Sequence, residues 1–177
     1  MDKKVKKEII DWIQTLSIAL IVAFLIRNFI FQPYRVQMGS MLPTLQENNL
    51  IIVNKLTYRF QAPKRGDIVV FHPPNNPSVY YIKRIVGLPG ETIEITNGEI
   101  LINGVSLPEK YISILTPGLY GPKTLPENEY FLMGDHRNNS LDSREFGPIK
   151  IKSIIGRATL VLWPPKAFKT LNDAVYK

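Results

Sequence analysis

Three short segments of this 177-residue chain carry reactive or charged side chains inside strand-like surroundings. The first reads Val36-Gln37-Met38-Gly39-Ser40-Met41-Leu42-Pro43-Thr44-Leu45. Ser40 lies between Gly39 and Met41 with Pro43 close behind, so its hydroxyl sits on a constrained turn. Gly39 lets another backbone, or a substrate, come near. A lone serine of this kind is ordinarily a turn or helix-capping residue, and the alternative is a nucleophile.

The second segment is Tyr81-Ile82-Lys83-Arg84-Ile85-Val86. Strand alternation places Lys83 on the face shared by Val79, Tyr81 and Ile85, all apolar or aromatic. Burial there disfavours the ammonium and can lower a lysine pKa by up to about 3–5 units. A neutral amine accepts a proton from a serine hydroxyl near neutral pH. Arg84 cannot do so, because guanidinium stays protonated in proteins. The bland alternative is an edge-strand lysine in water.

The third segment is Gly134-Asp135-His136-Arg137-Asn138-Asn139-Ser140-Leu141-Asp142-Ser143-Arg144. Asp142 with Arg144, and Asp135 with some arginine, are natural ion-pair partners. Read as a plain polar loop it needs no function. Read as a calcium loop it lacks the glycine and glutamate that an EF-hand requires.

The elements that must position these residues are short strands. Residues 50–53, 67–71 and 79–86 are β-branched runs, the last ending at Gly87. Residues 91–95 and 99–102 flank Thr96-Asn97-Gly98 as a hairpin, and Asn103-Gly104 closes the next turn. Proline recurs between 108 and 126, which predicts an exposed excursion. Strand pattern returns at 130–133 and 158–163, and a short helix is expected after Pro165. Fourteen prolines and eleven glycines also favour a β-rich domain over a helical bundle.

Ahead of this domain stands a basic segment, residues 1–8, with Lys3, Lys4, Lys6 and Lys7. An apolar stretch follows at 9–31. Its uncharged centre, residues 12–26, makes only about 22 Å of helix. The whole stretch makes about 34 Å, enough for a hydrocarbon core of about 30 Å with Asp11 and Arg27 at the interfaces. Trp12 is an interfacial aromatic, and the lysine cluster predicts a cytoplasmic N-terminus. No small-x-small motif follows the run, which argues against a cleaved leader. Residues 16–26 are apolar on every face except for Ser17, which argues against a buried amphipathic helix. Pro33 is expected to stop the helix, and the soluble domain to occupy residues 34–177.

The formal net charge of +7 is compatible with an anionic membrane surface or nucleic acid. The domain's Lys and Arg are scattered rather than interleaved with aromatics, so nucleic acid is not expected as a partner. With no cysteine and two histidines, neither disulfides nor a thiolate or histidine metal site is available, and no cofactor or metal is expected.

Taken in order, the segments resemble the boxes of type I signal peptidases. Gly39 to Leu45 is similar to the nucleophile box. Arg65-Gly66-Asp67-Ile68-Val69-Val70-Phe71 is similar to the strand box that follows it. Tyr81 to Gly90 is similar to the lysine box, and Gly134 to Arg144 to the terminal box. Four motifs in order behind an anchor are far more specific than any one of them.

The resemblance implies a mainly β fold: one N-terminal transmembrane helix and a β-rich catalytic domain of coiled antiparallel sheets. It implies a membrane-bound serine endopeptidase that removes signal peptides from exported preproteins. Ser40 would attack the scissile carbonyl, Lys83 would take its proton, and Ser140 would orient Lys83. Asp142–Arg144 and Asp135–Arg84 would be structural ion pairs, and the Ser40 backbone N–H would be one oxyanion donor. Some members carry a serine two positions before the nucleophile. Met38 stands there here and has no donor, so the second oxyanion donor is unassigned. Substrate would add as an extended strand, selected by small residues before the cut, along Val36, Gln37, Met38, Tyr81 and Ile82. Partners would be those preproteins, membrane lipid and, as a further candidate, the export channel. The chain would cross the cytoplasmic membrane once, with its catalytic domain outside. Rivals are a Ser-His-Asp hydrolase using His136, a self-cleaving repressor, and a catalytically weak or inactive preprotein-binding module.

Overall fold

The computed structural model describes residues 3–112 and 114–171; the first two residues of the basic segment and the domain's last six lie outside the described residues. A long helix, α1 (Lys3–Leu25), continues into a π turn at Ile26–Ile30. Together Lys4–Ile30 is long and apolar enough to cross a membrane, and none of its most apolar stretch is buried against the protein. At about 1.5 Å per residue its 27 residues measure about 40 Å.

The helix ends before Pro33, which instead sits inside the first strand, β1 (Phe31–Arg35). This strand forms the sheet edge and, among the described residues, pairs only with β2 (Leu50–Asn54). An edge strand tolerates a residue with no N–H, which is why proline did not end the element. After a one-turn helix α2 (Thr57–Phe60) come β3 (Ile68–Phe71) and β4 (Tyr81–Gly87). The hairpin β5 (Thr92–Thr96) and β6 (Glu99–Ile102) turns at Asn97 and Gly98, both at positive φ, and Asn103 and Gly104 lead likewise into β7 (Val105–Ser106). These are the Asn-Gly turns whose twist suits antiparallel strands.

The excursion expected to be unpatterned contains a strand, β8 (Tyr120–Thr124), on β5. Its Gly121-Pro122 pair hid it. Gly121 is at positive φ, lies against the Ile93 carbonyl, and coincides with a break in register between Ile93 and Ile95. The chain continues through β9 (Glu129–Met133), a one-turn helix α3 (Ser143–Phe146), β10 (Ile149–Lys150), β11 (Ile154–Trp163) and β12 (Lys169–Thr170). Between the last two lies a short 3-10 turn at Pro165–Ala167.

The strands form two antiparallel sheets. The larger runs β1-β2-β11-β3-β4-β9-β10, with β12 on β11, and the smaller runs β7-β6-β5-β8. One apolar cluster gathers Val36, Met41, Leu45, Ile51, Val53 and Val161 beneath the segment that carries Ser40. A second fills the smaller sheet around Ile93, Ile95, Leu125 and Phe131. A third lies under β3, β4 and β9 around Phe71, Ile85 and Leu132. β4 therefore runs between well-packed layers, and side chains at its start are held rigidly.

Candidate active site

Ser40 sits in a single 3-10 turn, Gly39–Met41, entered from extended Met38. The turn closes by Leu42 N–H donating to the Gly39 carbonyl at 3.1 Å, and Leu45 N–H donating to Met41 at 2.9 Å. Met41 and Leu45 are buried in the first apolar cluster, so the turn is pinned from below while Ser40 faces a cleft.

Across the cleft, β4 presents Lys83, whose Nζ donates to Ser40 Oγ at 2.6 Å. Lys83 is 3% exposed. Burial lowers its pKa from 10.5 to about 8, although the Asp142 and Asp135 carboxylates push the other way. Nζ also stands 5.7 Å from the centre of the Tyr81 ring. A buried amine in hydrogen-bond contact with a turn hydroxyl is the geometry of a serine activated by a lysine base.

The loop after β9 closes the site. Asp142 accepts from Gly134 N–H at 3.1 Å and pairs with Arg144 at 2.8 Å. Burial alone would raise the Asp142 pKa, but the Arg144 guanidinium outweighs it and holds the carboxyl below its ordinary value. Arg84 pairs with Asp135 through two bonds of 2.9 and 2.6 Å, and its third arm donates to the Gly66 carbonyl at 2.9 Å. Thr44 completes this knot, donating to Asp135 Oδ2 at 2.5 Å and accepting from Arg84 at 3.3 Å. Thr44 was missed as a site residue, though it lies four residues past Ser40 in the same motif. Gly134 packs so closely that a Cβ there would stand 2.5 Å from the Ser40 carbonyl and overlap Ser140.

One expected contact differs. Ser140 Oγ is buried and makes no hydrogen bond to Lys83; it has no partner of good geometry among the described residues. Its hydroxyl lies near Asp142 and favours that carboxylate's ionised form, while the Lys83 amine is engaged with Ser40. His136 sits beside the nucleophile turn but contacts its backbone, Nδ1 being 3.3 Å from the Gly39 carbonyl and its N–H donating to the Ser40 carbonyl at 3.1 Å. The nitrogen in contact with Ser40 Oγ is the Lys83 amine, not a ring nitrogen of His136.

The cleft has two lobes meeting at Ser40 and Lys83. One, about 40 Å³, is lined by Val36, Gln37, Met38, Tyr81 and Ile82 among others. These are the five residues expected to meet substrate. The other extends past Met38, Glu47, Asn139 and Leu141. Met38 is 59% exposed, and its thioether offers no hydrogen to an oxyanion. Beside the smaller lobe β4 pairs with β9 only from Arg84 onward, so among the described residues no strand pairs with Tyr81, Ile82 and Lys83 on that side.

The family model described as "Signal peptidase, peptidase S26" matches residues 9–163. Signal peptidase I of Leptolyngbya laminosa is 41% identical over 168 residues, covering 91% of this chain and 83% of that one. Signal peptidase I S of Bacillus subtilis (strain 168) is 40% identical over 180 residues, covering 94% and 96%. A crystal structure of a signal peptidase I from Enterococcus faecalis V583 is 37% identical, with a TM-score of 0.49, and covers 55% of this chain and 97% of that one. The protein is thus a serine endopeptidase. Within that class it belongs to the signal peptidase I family, peptidase S26, whose members act on exported preproteins.

Proposed function

We propose that this chain removes signal peptides as a membrane-anchored endopeptidase with Ser40 as nucleophile and Lys83 as general base. The observation that carries this reading is the 2.6 Å contact between a buried Lys83 amine and Ser40 Oγ. In the neutral form Lys83 accepts the Ser40 hydroxyl proton as Oγ bonds to the scissile carbonyl carbon. The resulting oxyanion takes the Ser40 backbone N–H as one donor. The Lys83 ammonium then returns the proton to the leaving nitrogen as the C–N bond breaks, and the mature chain departs. Water attacks the Ser40 ester, Lys83 takes its proton, and the proton passes back to Ser40 Oγ as the signal peptide's new carboxyl end is released.

The arrangement of charge supports fixed roles around this pair. Asp142–Arg144 and Asp135–Arg84 hold the loop and β4 in register, and Ser140 acts on Lys83 through Asp142 rather than by direct contact. An extended substrate adds to the open edge of β4 at Tyr81 and Ile82, opposite Val36, Gln37 and Met38. A cavity of about 40 Å³ suits a small side chain just before the cut. The lysines at the start of α1, Lys3, Lys4, Lys6 and Lys7, set the N-terminus on the cytoplasmic side and the β domain outside. There it meets lipid headgroups and preproteins leaving the export channel.

The test is cleavage of a purified preprotein with an Ala-x-Ala site, in detergent or lipid. Wild type and His136→Ala should cut after the second alanine, while Ser40→Ala and Lys83→Ala should not. A folded but silent wild type would favour a binding module instead.

A further inference from the structure

The twelve residues between Leu107 and β8 pair with no strand among the described residues, yet they are fastened to the catalytic loop from outside. The fastener is Arg137, which is 1% exposed. Its Nε donates to the Gly134 carbonyl at 3.0 Å. One terminal nitrogen donates to Glu109 and to Thr116, each at 2.6 Å. The other donates to Glu109 at 2.5 Å and reaches the Tyr111 hydroxyl at 3.4 Å. The Tyr111 ring lies over Arg84, 4.1 Å from its guanidinium carbon, and 5.9 Å from that of Arg137. One aromatic side chain from the excursion thus covers the arginine that holds Asp135.

From Arg137 the connection runs into the site. Its carbonyl accepts from Arg144 at 2.9 Å, Arg144 holds Asp142, and Asp142 accepts from Gly134 N–H. Gly134 in turn lies against Ser140 and the Ser40 carbonyl. A buried ion pair contributes little net stability compared with apolar packing, so this bidentate pair is better suited to fixing position than to adding strength.

We infer that Glu109 and Tyr111 are positioning residues for the reaction: through Arg137 and Arg84 they press the loop of residues 134–144 against the dyad and keep water from Lys83. This rests on the Ser40–Lys83 reading above. Loosening the brace admits water beside the amine, so the ammonium becomes easier to form and Lys83 is neutral only at higher pH.

The experiment measures kcat, KM and the pH profile of preprotein cleavage for the full chain in detergent, with Glu109→Gln, Tyr111→Ala and Tyr111→Phe. Glu109→Gln and Tyr111→Ala should lose about tenfold in kcat at pH 8 with KM nearly unchanged. Their acidic limb should move up by about half a pH unit or more. Tyr111→Phe keeps the ring over Arg84 and should stay within about threefold of wild type. Glu109→Gln also weakens folding because it leaves Arg137 half-paired, whereas Tyr111→Ala buries no new charge. The inference is overturned if folded Tyr111→Ala cuts like wild type. It is equally overturned if activity falls only with the folded fraction and the limb stays in place. Lys83→Ala, run alongside, separates the two readings: if it remains active, the dyad is wrong, whatever the brace variants do.

Discussion

Lys83 and Arg84 are neighbours on β4, each 3% exposed, and they meet burial in opposite ways. The Arg84 guanidinium is paired with Asp135 at 2.6 Å. Among the described residues Lys83 makes its close polar contact with a neutral hydroxyl, and burial brings its pKa down to about 8. One residue of strand alternation thus separates an ion-paired guanidinium from an amine that loses its proton readily.

Cleavage should therefore rise with pH. The active form of Lys83 is the neutral amine, so kcat/KM measured from pH 6 to 9.5 should climb through an apparent pKa near 8 and then level off. Lys83→Arg should be inactive across that range, because guanidinium never becomes a base.

The same burial has a stability cost of predictable sign. An unfolded lysine titrates near 10.5 and the folded one near 8, so between these values the unfolded chain binds more protons and stability increases with pH. Below pH 8 the cost is present in full, about 3 kcal/mol from the shift. Lys83→Met should be dead yet more stable than wild type to urea at pH 7 by up to about that amount, and the gap should close by pH 10.5. Equal stabilities at pH 7 would contradict the assignment of a strongly desolvated lysine.

Asp135→Asn should behave in the opposite sense. It leaves the buried Arg84 without its counter-charge and leaves one amide oxygen to accept from both Arg84 and Thr44. Breaking a buried pair from one side typically costs about 3–5 kcal/mol, measurable by urea unfolding. Activity should fall as well, since β4 and the Ser40 segment are joined through that carboxylate.

Gly134→Ala should damage catalysis. The added methyl would press on the Ser40 carbonyl and on Ser140. Relieving that clash displaces the turn that carries Ser40, so a drop of about tenfold or more in kcat is expected. Kinetics like wild type would mean that the turn tolerates displacement.

Val36→Glu should raise KM, and because Val36 is also buried in the first apolar cluster the kinetics must be corrected for the folded fraction. Unchanged kinetics for a preprotein with alanine before the cut would remove this lobe from the substrate path.

What was legible in the sequence is what depends on near neighbours. The anchor is a one-dimensional property of residues 9–31, and the helix runs past both ends of its apolar core. The Asn97-Gly98 and Asn103-Gly104 turns are local backbone chemistry. Ser40 and Lys83 stood out because each is chemically out of place in its surroundings. β1 and β8 were missed because Pro33 and Gly121-Pro122 read as breaks, whereas both strands lie at sheet edges where a missing N–H is harmless. The Glu109–Arg137 pair spans 28 residues and the Thr44–Asp135 bond 91, and no local pattern announces partners at such range. Ser140 was placed in the right loop, but which neighbour its hydroxyl meets depends on the packing of Gly134.

The π turn ends at Ile30 and β1 begins at once, leaving only about ten residues before Ser40, a span of no more than about 35 Å even if fully stretched. Five of those residues are committed to the sheet, so the leash is shorter still. On the proposed anchoring of α1 in a bilayer, the protease would be a height gauge as well as a reader of side chains. A segment with perfectly suitable small residues would escape if it emerged too far from the lipid surface. The short linker would thereby confine a peptidase of simple taste to chains still tethered at the membrane.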